Sequence, residues 1–249
     1  MVHRDEINSY LNAFLEVDRF TDYGPNGLQV EGRPGIGKIV TGVTASLAFI
    51  EAAGAAQADA VLVHHGLFWR GQDGRITGWM KQRVAALLSR DLNLFAFHLP
   101  LDAQPEVGNN AQLAVRLGFG PQARFGDRDL GVIGTPSQAS SLAELADWVQ
   151  ARLGRTPTVV PGDGRTIRRV AWCTGGAQGF FESAIAAGAD AYLTGEISEP
   201  QAHIARETGV AFLACGHHAT ERYGAPALGE HLARKFGLQH EFIEIDNPA

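Results

Sequence analysis

Residues 59–66 read DAVLVHHG, and this stretch decides the fold class. Ala60, Val61, Leu62 and Val63 form an unbroken apolar run that stops at His64, His65 and Gly66. A short run of this kind, rich in valine and bounded by a glycine, reads as a strand buried on both faces. Helical patterns flank it, SLAFIEAAGAAQ at 46–57 and ITGWMKQRVAALLSRD at 76–91. Beyond them stand two more strand-like stretches, KIVTGVTA at 38–45 and LNLFAFH at 92–98. Apolar strands alternating with helices predict an α/β fold with a mostly parallel sheet covered on both faces.

Working outward, an amphipathic helix is expected over 5–16, with Ile7, Leu11, Phe14 and Leu15 on one face. A glycine-rich connection, DYGPNGLQVEG, follows at 22–32. After a helical segment near 109–118 the pattern lapses into GFGPQARFGDRDL at 118–130, which reads as a linker. Alternation then resumes. Helices are expected at 141–154, 180–188, 198–209 and up to about Phe236; strands are expected at 168–176, 190–196, 210–218 and 238–245. The expectation is therefore two α/β domains, 1–126 and 127–249. Each holds a strand that ends in histidine, VLVHHG in the first and FLACGHH in the second.

With 249 residues, 45% hydrophobic and 19% charged, the composition is that of an ordinary globular protein able to bury a sizeable core. Its 21 basic and 27 acidic residues give a formal charge of −6, without a lysine- or arginine-rich run. That balance argues against nucleic-acid binding and against an anionic membrane surface. The charged start MVHRDEINSYLNAFLEV does not read as a signal peptide, and no apolar run approaches the ~20 residues that span a bilayer. Cys173 and Cys215 are far apart and suggest no disulfide framework. The expected location is the cytoplasm.

The ends of the predicted strands carry the chemistry. In parallel α/β sheets ligands gather at the carboxyl ends of strands. His64 and His65 stand there, and His98 ends the next strand with Asp102 four residues on, in HLPLD. In the second half, GHHATE places His217 and Glu221 four apart, on one face of any helix that begins there. Imidazole with carboxylate is a ligand set for first-row transition metals, whereas calcium and magnesium take all-oxygen surroundings. Adjacent strand residues point to opposite faces, so a single ion is poorly placed to take both His64 and His65. Gly66 lets the chain turn at once, and the two rings then suit two neighbouring ions. His64, His65, Asp102, His217 and Glu221 are too few to close two four-coordinate sites, so a bridging carboxylate and bridging water leave open positions. Each residue also has a plain reading: a hydrogen-bonded strand-end histidine, a helix-capping Asp102, a solvated His217–Glu221 pair.

The quoted stretches VHHGLFWRG, HLPLDAQPEVGNNAQLA, CTGGAQG, TGEISEPQAHIARETG and GHHATERYG together resemble the Nif-three-like family, whose bacterial members are often called GTP cyclohydrolase I type 2 homologues. The resemblance runs from NSYLNAFL to the final helix. It implies a two-domain α/β subunit with a dinuclear metal centre in the cleft between the domains, and a homohexameric toroid of trimers. It also implies His64, His65, Asp102, His217 and Glu221 as the ligands of two divalent transition-metal ions, zinc, iron, manganese, cobalt or nickel, with Glu221 as the bridge.

Around these five, His98 reads as a hydrogen-bond partner of a ligand, an extra ligand or a proton shuttle, or simply as a structural strand-end residue. Glu196, at the end of DAYLTGE, reads as a general base or a structural residue. Cys215 sits in a run that reads as buried, where a thiol behaves as a small hydrophobe. His218 carries no distinctive signal, and His203 falls inside a helical pattern as a surface or packing residue. The CTGGAQG turn at 173–179 offers backbone N–H groups that can hold a phosphate, or is a plain tight turn.

Two function classes follow. One is a metal-dependent hydrolase that uses a metal-bridging water, with GTP cyclohydrolase chemistry as the version the resemblance implies. The other is a non-catalytic ring that handles metal or binds a protein or nucleic-acid partner.

Overall fold

Ala60–His65 is a strand, and its neighbours explain why it can be apolar throughout. The computed structural model describes residues 1–249. In the first sheet the strand order is Gln239–Phe242, Lys38–Thr44, Ala60–His65, Asn93–Ala96 and Gly27–Val30. The first three pairings are parallel; Gly27–Val30 closes the edge antiparallel, with a register irregularity between Leu28 and Val30. Val61 and Val63 face one side, where Phe49, Ile50 and Leu87 from the helices Leu47–Ala55 and Gly78–Leu88 cover them. Leu62 faces the other side, among Ile7 and Leu11 of the helix Arg4–Phe14 and Leu228 and Leu232 of the helix Gly224–Phe236. This period-two division puts alternate strand side chains into two separate cores. Burying a side chain such as Leu62 contributes about 1.5–3 kcal/mol.

The second sheet runs Gly120–Phe125, Gly131–Thr135, Val170–Trp172, Ala191–Thr194, Ala211–Ala214 and Thr158–Val160. Its three central strands are parallel and its margins antiparallel. Trp172, Leu193 and Leu213 pack with Leu113 and Leu117 of the helix Asn109–Leu117 and with Leu145 and Val149 of the helix Leu142–Leu153. That last helix starts at a capping box between Ser141 and Glu144 and ends at Gly154, whose φ of 71° is left-handed. The α/β class holds in both sheets.

The chain divides into two compact units, Met1–Gly108 with Gly224–Asp246, and Asn109–Tyr223 with Asn247–Ala249. This differs from the expected division at 126/127. Asn109–Leu117 belongs to the second core through Leu113 and Leu117, and Gly224–Phe236 returns to the first. The stretch 118–130, expected as a linker, contains the edge strand Gly120–Phe125. All of it but Phe125 is exposed, and Pro121 stands in it, so neither apolar pattern nor propensity marks a strand there. The glycine-rich connection at 22–32 likewise holds the edge strand Gly27–Val30. No helix is long and apolar enough to cross a membrane.

Candidate metal centre

In the first unit the carboxyl end of Ala60–His65 presents both histidines on one edge, with ring centroids 4.6 Å apart. His64 is fully buried, and its Nδ1 lies 3.0 Å from the Phe97 carbonyl oxygen. A carbonyl only accepts, so Nδ1 carries the proton and Nε2 keeps its lone pair. That Nε2 is 3.5 Å from Asp102 Oδ1. His65 places its Nδ1 3.2 Å from Thr44 Oγ1, across the parallel pairing of Thr44 with His65. Where the chain leaves the strand, Gly66 packs closely on Gln29: a Cβ there would stand 2.3 Å from the Gln29 side-chain amide.

Asp102 lies on the short helix Leu99–Ala103, which follows the strand Asn93–Ala96 and begins after His98 with Pro100 in its first turn. One turn of helix, closed by the Asp102 N–H to the His98 carbonyl at 3.2 Å, brings Asp102 back over His98. The Asp102 side chain is buried. His64, His65 and His98 each offer a ring nitrogen, all within 4.8 Å of one another. His98 thus joins the strand-end pair, a third imidazole beyond the five ligands of the resemblance.

His98 is held by a residue the sequence did not point to. Its Nδ1 lies 2.7 Å from Asp22 Oδ1, and Asp22 Oδ2 accepts from Asn26 Nδ2 and the Leu99 N–H, each at 2.9 Å. Burial pushes the Asp22 carboxyl up, but hydrogen bonds and charge from His98, with hydrogen bonds from Asn26 and the Tyr23 amide, hold it down at about 2. Asp22 and Asn26 sit in DYGPNG, where both read as ordinary turn residues. Nothing local in the chain links residue 22 to residue 98.

In the second unit His217 opens the helix His217–Glu221, directly after Gly216 at φ 100°. The four-residue spacing does what it predicts: His217 Nε2 is 3.0 Å from Glu221 Oε2. On the other side of the ring, Nδ1 is 2.6 Å from Glu196 Oε1. Burial pulls the His217 pKa down, but Glu221 and then Glu196 overcome it and raise the ring to about 9. Glu196 therefore orients His217, and its second oxygen meets Gln178 Nε2 at 3.3 Å.

The CTGG turn backs this pair. The Gly175 N–H donates to Thr220 Oγ1 at 3.0 Å, and its carbonyl accepts from Gly195 N–H at 2.8 Å and from Thr194 Oγ1 at 3.1 Å. One of the N–H groups read as a phosphate donor is thus engaged within the fold. Cys215 is buried, which pushes its thiol up, as expected of a small hydrophobe. His203 makes an exposed pair with Glu199 at 2.9 Å on the helix Glu199–Thr208. The His218 backbone N–H donates to the Ala249 carbonyl oxygen at 3.2 Å.

These histidine and carboxylate groups can hold metal ions. The chemistry of the donors fits a first-row transition metal: imidazole nitrogens whose opposite Nδ1 atoms are already engaged, beside buried carboxylates.

Comparison with known proteins agrees over the full length. The chain is 55% identical to a Neisseria meningitidis serogroup A protein named GTP cyclohydrolase 1 type 2 homolog, over all of both chains. It matches the solved structure of protein ybgI, described as of unknown function, with TM-score 0.96 and 47% identity over all of both chains. The Thermus thermophilus protein TTHA1606 matches with TM-score 0.89 and 35% identity, again over all of both chains. The family model for Duf34/NIF3 (NGG1p interacting factor 3) matches residues 2–248, and the chain belongs to that family.

Proposed function

We propose that this chain is a metal-dependent hydrolase carrying two divalent transition-metal ions per subunit, with a nucleotide as its substrate class. What supports this is the aim of the first unit's imidazoles: the Nδ1 of His64, His65 and His98 is engaged by Phe97, Thr44 and Asp22, and their ligand nitrogens lie within 4.8 Å. Histidines that serve only packing have no need of three ring nitrogens gathered so closely. His64, His65 and Asp102 are the residues of the first unit that would hold metal, and His217 and Glu221 those of the second.

A pair of such cations acidifies water near neutral pH and polarises a substrate oxygen. Glu196 holds the His217 ring through Nδ1, and its half-exposed carboxylate is the proposed proton acceptor beside that histidine. His98 supplies a further nitrogen beside His64. The nucleotide class comes from relatives named GTP cyclohydrolase 1 type 2 homolog, which makes GTP the first compound to assay. A homohexamer is part of the same proposal; a sedimentation mass below that of a hexamer removes it.

The test is elemental mass spectrometry of the purified chain beside GTP turnover in the parent and Glu221→Ala. About two transition-metal ions per parent chain, with turnover lost in the variant, is the expected result. Full turnover in a variant that has lost its metal overturns the mechanism.

A further inference from the structure

Of the three clustered histidines, His98 alone meets a carboxylate through Nδ1; His64 meets a backbone carbonyl and His65 a hydroxyl. The Asp22 side chain is only 2% exposed, and both its oxygens are occupied. Oδ1 accepts from the Tyr23 N–H at 2.6 Å as well as from His98. Oδ2 accepts from Asn26 and Leu99. Four donors converge on one carboxylate, which fixes its plane and demands the acceptor-only ionised form. Asn26 Oδ1 accepts in turn from the His98 backbone N–H at 2.7 Å. One short loop therefore grips both the ring and the backbone of His98. The ring is also flanked by Trp69, edge-on at 5.1 Å between centroids, and by Tyr23 at 6.1 Å.

We propose that Asp22 is a positioning residue that fixes His98 as the Nδ1–H tautomer and turns its Nε2 lone pair toward His64 and His65, making His98 a third nitrogen donor of the first unit. The inference rests on the metal-dependent reading for what the nitrogens hold, but the tautomer is a property of the metal-free chain. A carboxylate on the far nitrogen both orients a donor imidazole and raises its basicity, and its loss typically weakens metal affinity about 10- to 100-fold. An Asp22 that served only the loop needs its bonds to Tyr23, Asn26 and Leu99, and has no reason to set the proton of His98.

Long-range proton–nitrogen correlation NMR on metal-free protein with 15N-labelled histidine tests this directly. In the parent, His98 is expected to carry its proton on Nδ1, with Nε2 bare. Asp22→Asn reverses that arrangement. The amide oxygen is drawn to the two donors that Oδ2 served, so the NH₂ faces His98 Nδ1 and leaves the proton to Nε2. Zinc affinity measured by chelator competition is expected to fall about 10- to 100-fold in the variant.

A proton already on Nε2 in the parent overturns the proposal without need of any variant, so a variant that fails to fold does not protect it. An unchanged zinc affinity in a folded Asp22→Asn with the reversed tautomer removes the donor role of His98. A parent that binds no zinc sinks the metal-dependent reading and the donor role together, while the tautomer still reports on what Asp22 does to the ring.

Discussion

Gly175 and Glu221 stand so close that the glycine has no room for a side chain: a Cβ on Gly175 would lie 1.8 Å from Glu221 Oε1. Gly175 is also left-handed, at φ 68°. An alanine there meets two separate penalties, left-handed strain of about 1–3 kcal/mol and displacement of a carboxylate proposed as a ligand. Gly164, at φ 82° with nothing near its Cβ position, is a control that carries only the strain. Gly175→Ala is expected to lose metal as well as stability, and Gly164→Ala stability alone. Denaturant midpoints and elemental analysis separate the two. Parent-level metal in a folded Gly175→Ala would show that this turn does not place Glu221.

His217 gives a prediction in pH. With both carboxylates beside it, the ring is raised from its ordinary 6.5 to about 9 in the metal-free chain. A raised pKa means that the charged ring stabilises the fold; the contribution is complete below the unfolded value and is lost as pH rises through about 9. Glu196→Gln removes one of the two anions, so the His217 midpoint falls. An NMR titration of the metal-free parent and variant reads this. A midpoint in the variant equal to the parent's means Glu196 does not act on His217. Because a ligand imidazole must be deprotonated, metal uptake by the parent is also expected to release a proton below that midpoint.

What the sequence made legible follows the physics of each element. Ala60–His65 announced itself because a strand buried on both faces has nowhere to put polar residues, and its histidines stood out against that background. His217 and Glu221 were legible because helical spacing is local. Asp22 was not, because its partner lies 76 residues away and its own turn chemistry explained it already. Gly120–Phe125 was missed for the opposite reason to Ala60–His65: an edge strand exposed along nearly its whole length need not carry an apolar pattern. The unit boundaries were obscured because Gly224–Phe236 returns to the first core after the second is complete, which no run of composition records.

Acid stability isolates the Asp22 carboxylate. Its pKa is held at about 2 against an ordinary 3.8, so the folded state favours the ionised form. The resulting contribution, about 2 kcal/mol, is present above the unfolded value and is lost as pH falls through the folded one. The stability gap between the parent and Asp22→Asn is therefore expected to be widest above pH 4 and to shrink toward pH 2. Urea unfolding at a series of acidic pH values measures it. A gap that stays constant across that range would show that Asp22 is not held ionised by its four donors.

His64 and His65 are adjacent but differ in what their loss does to the fold. His64 is fully buried and satisfies the Phe97 carbonyl, so His64→Ala leaves that acceptor and a cavity behind, at a cost of about 1–3 kcal/mol for the unsatisfied group alone. His65 is only half-buried and bonds a hydroxyl that can turn elsewhere, so His65→Ala is expected to cost well under that. Both variants are expected to retain less metal than the parent, because each removes a proposed ligand. Metal loss without a matching fall in the denaturant midpoint, seen in His65→Ala, ties the loss to coordination rather than to unfolding. A parent that holds less than one transition-metal ion per chain, is not loaded by added metal and is matched by His65→Ala removes the metal-dependent proposal altogether.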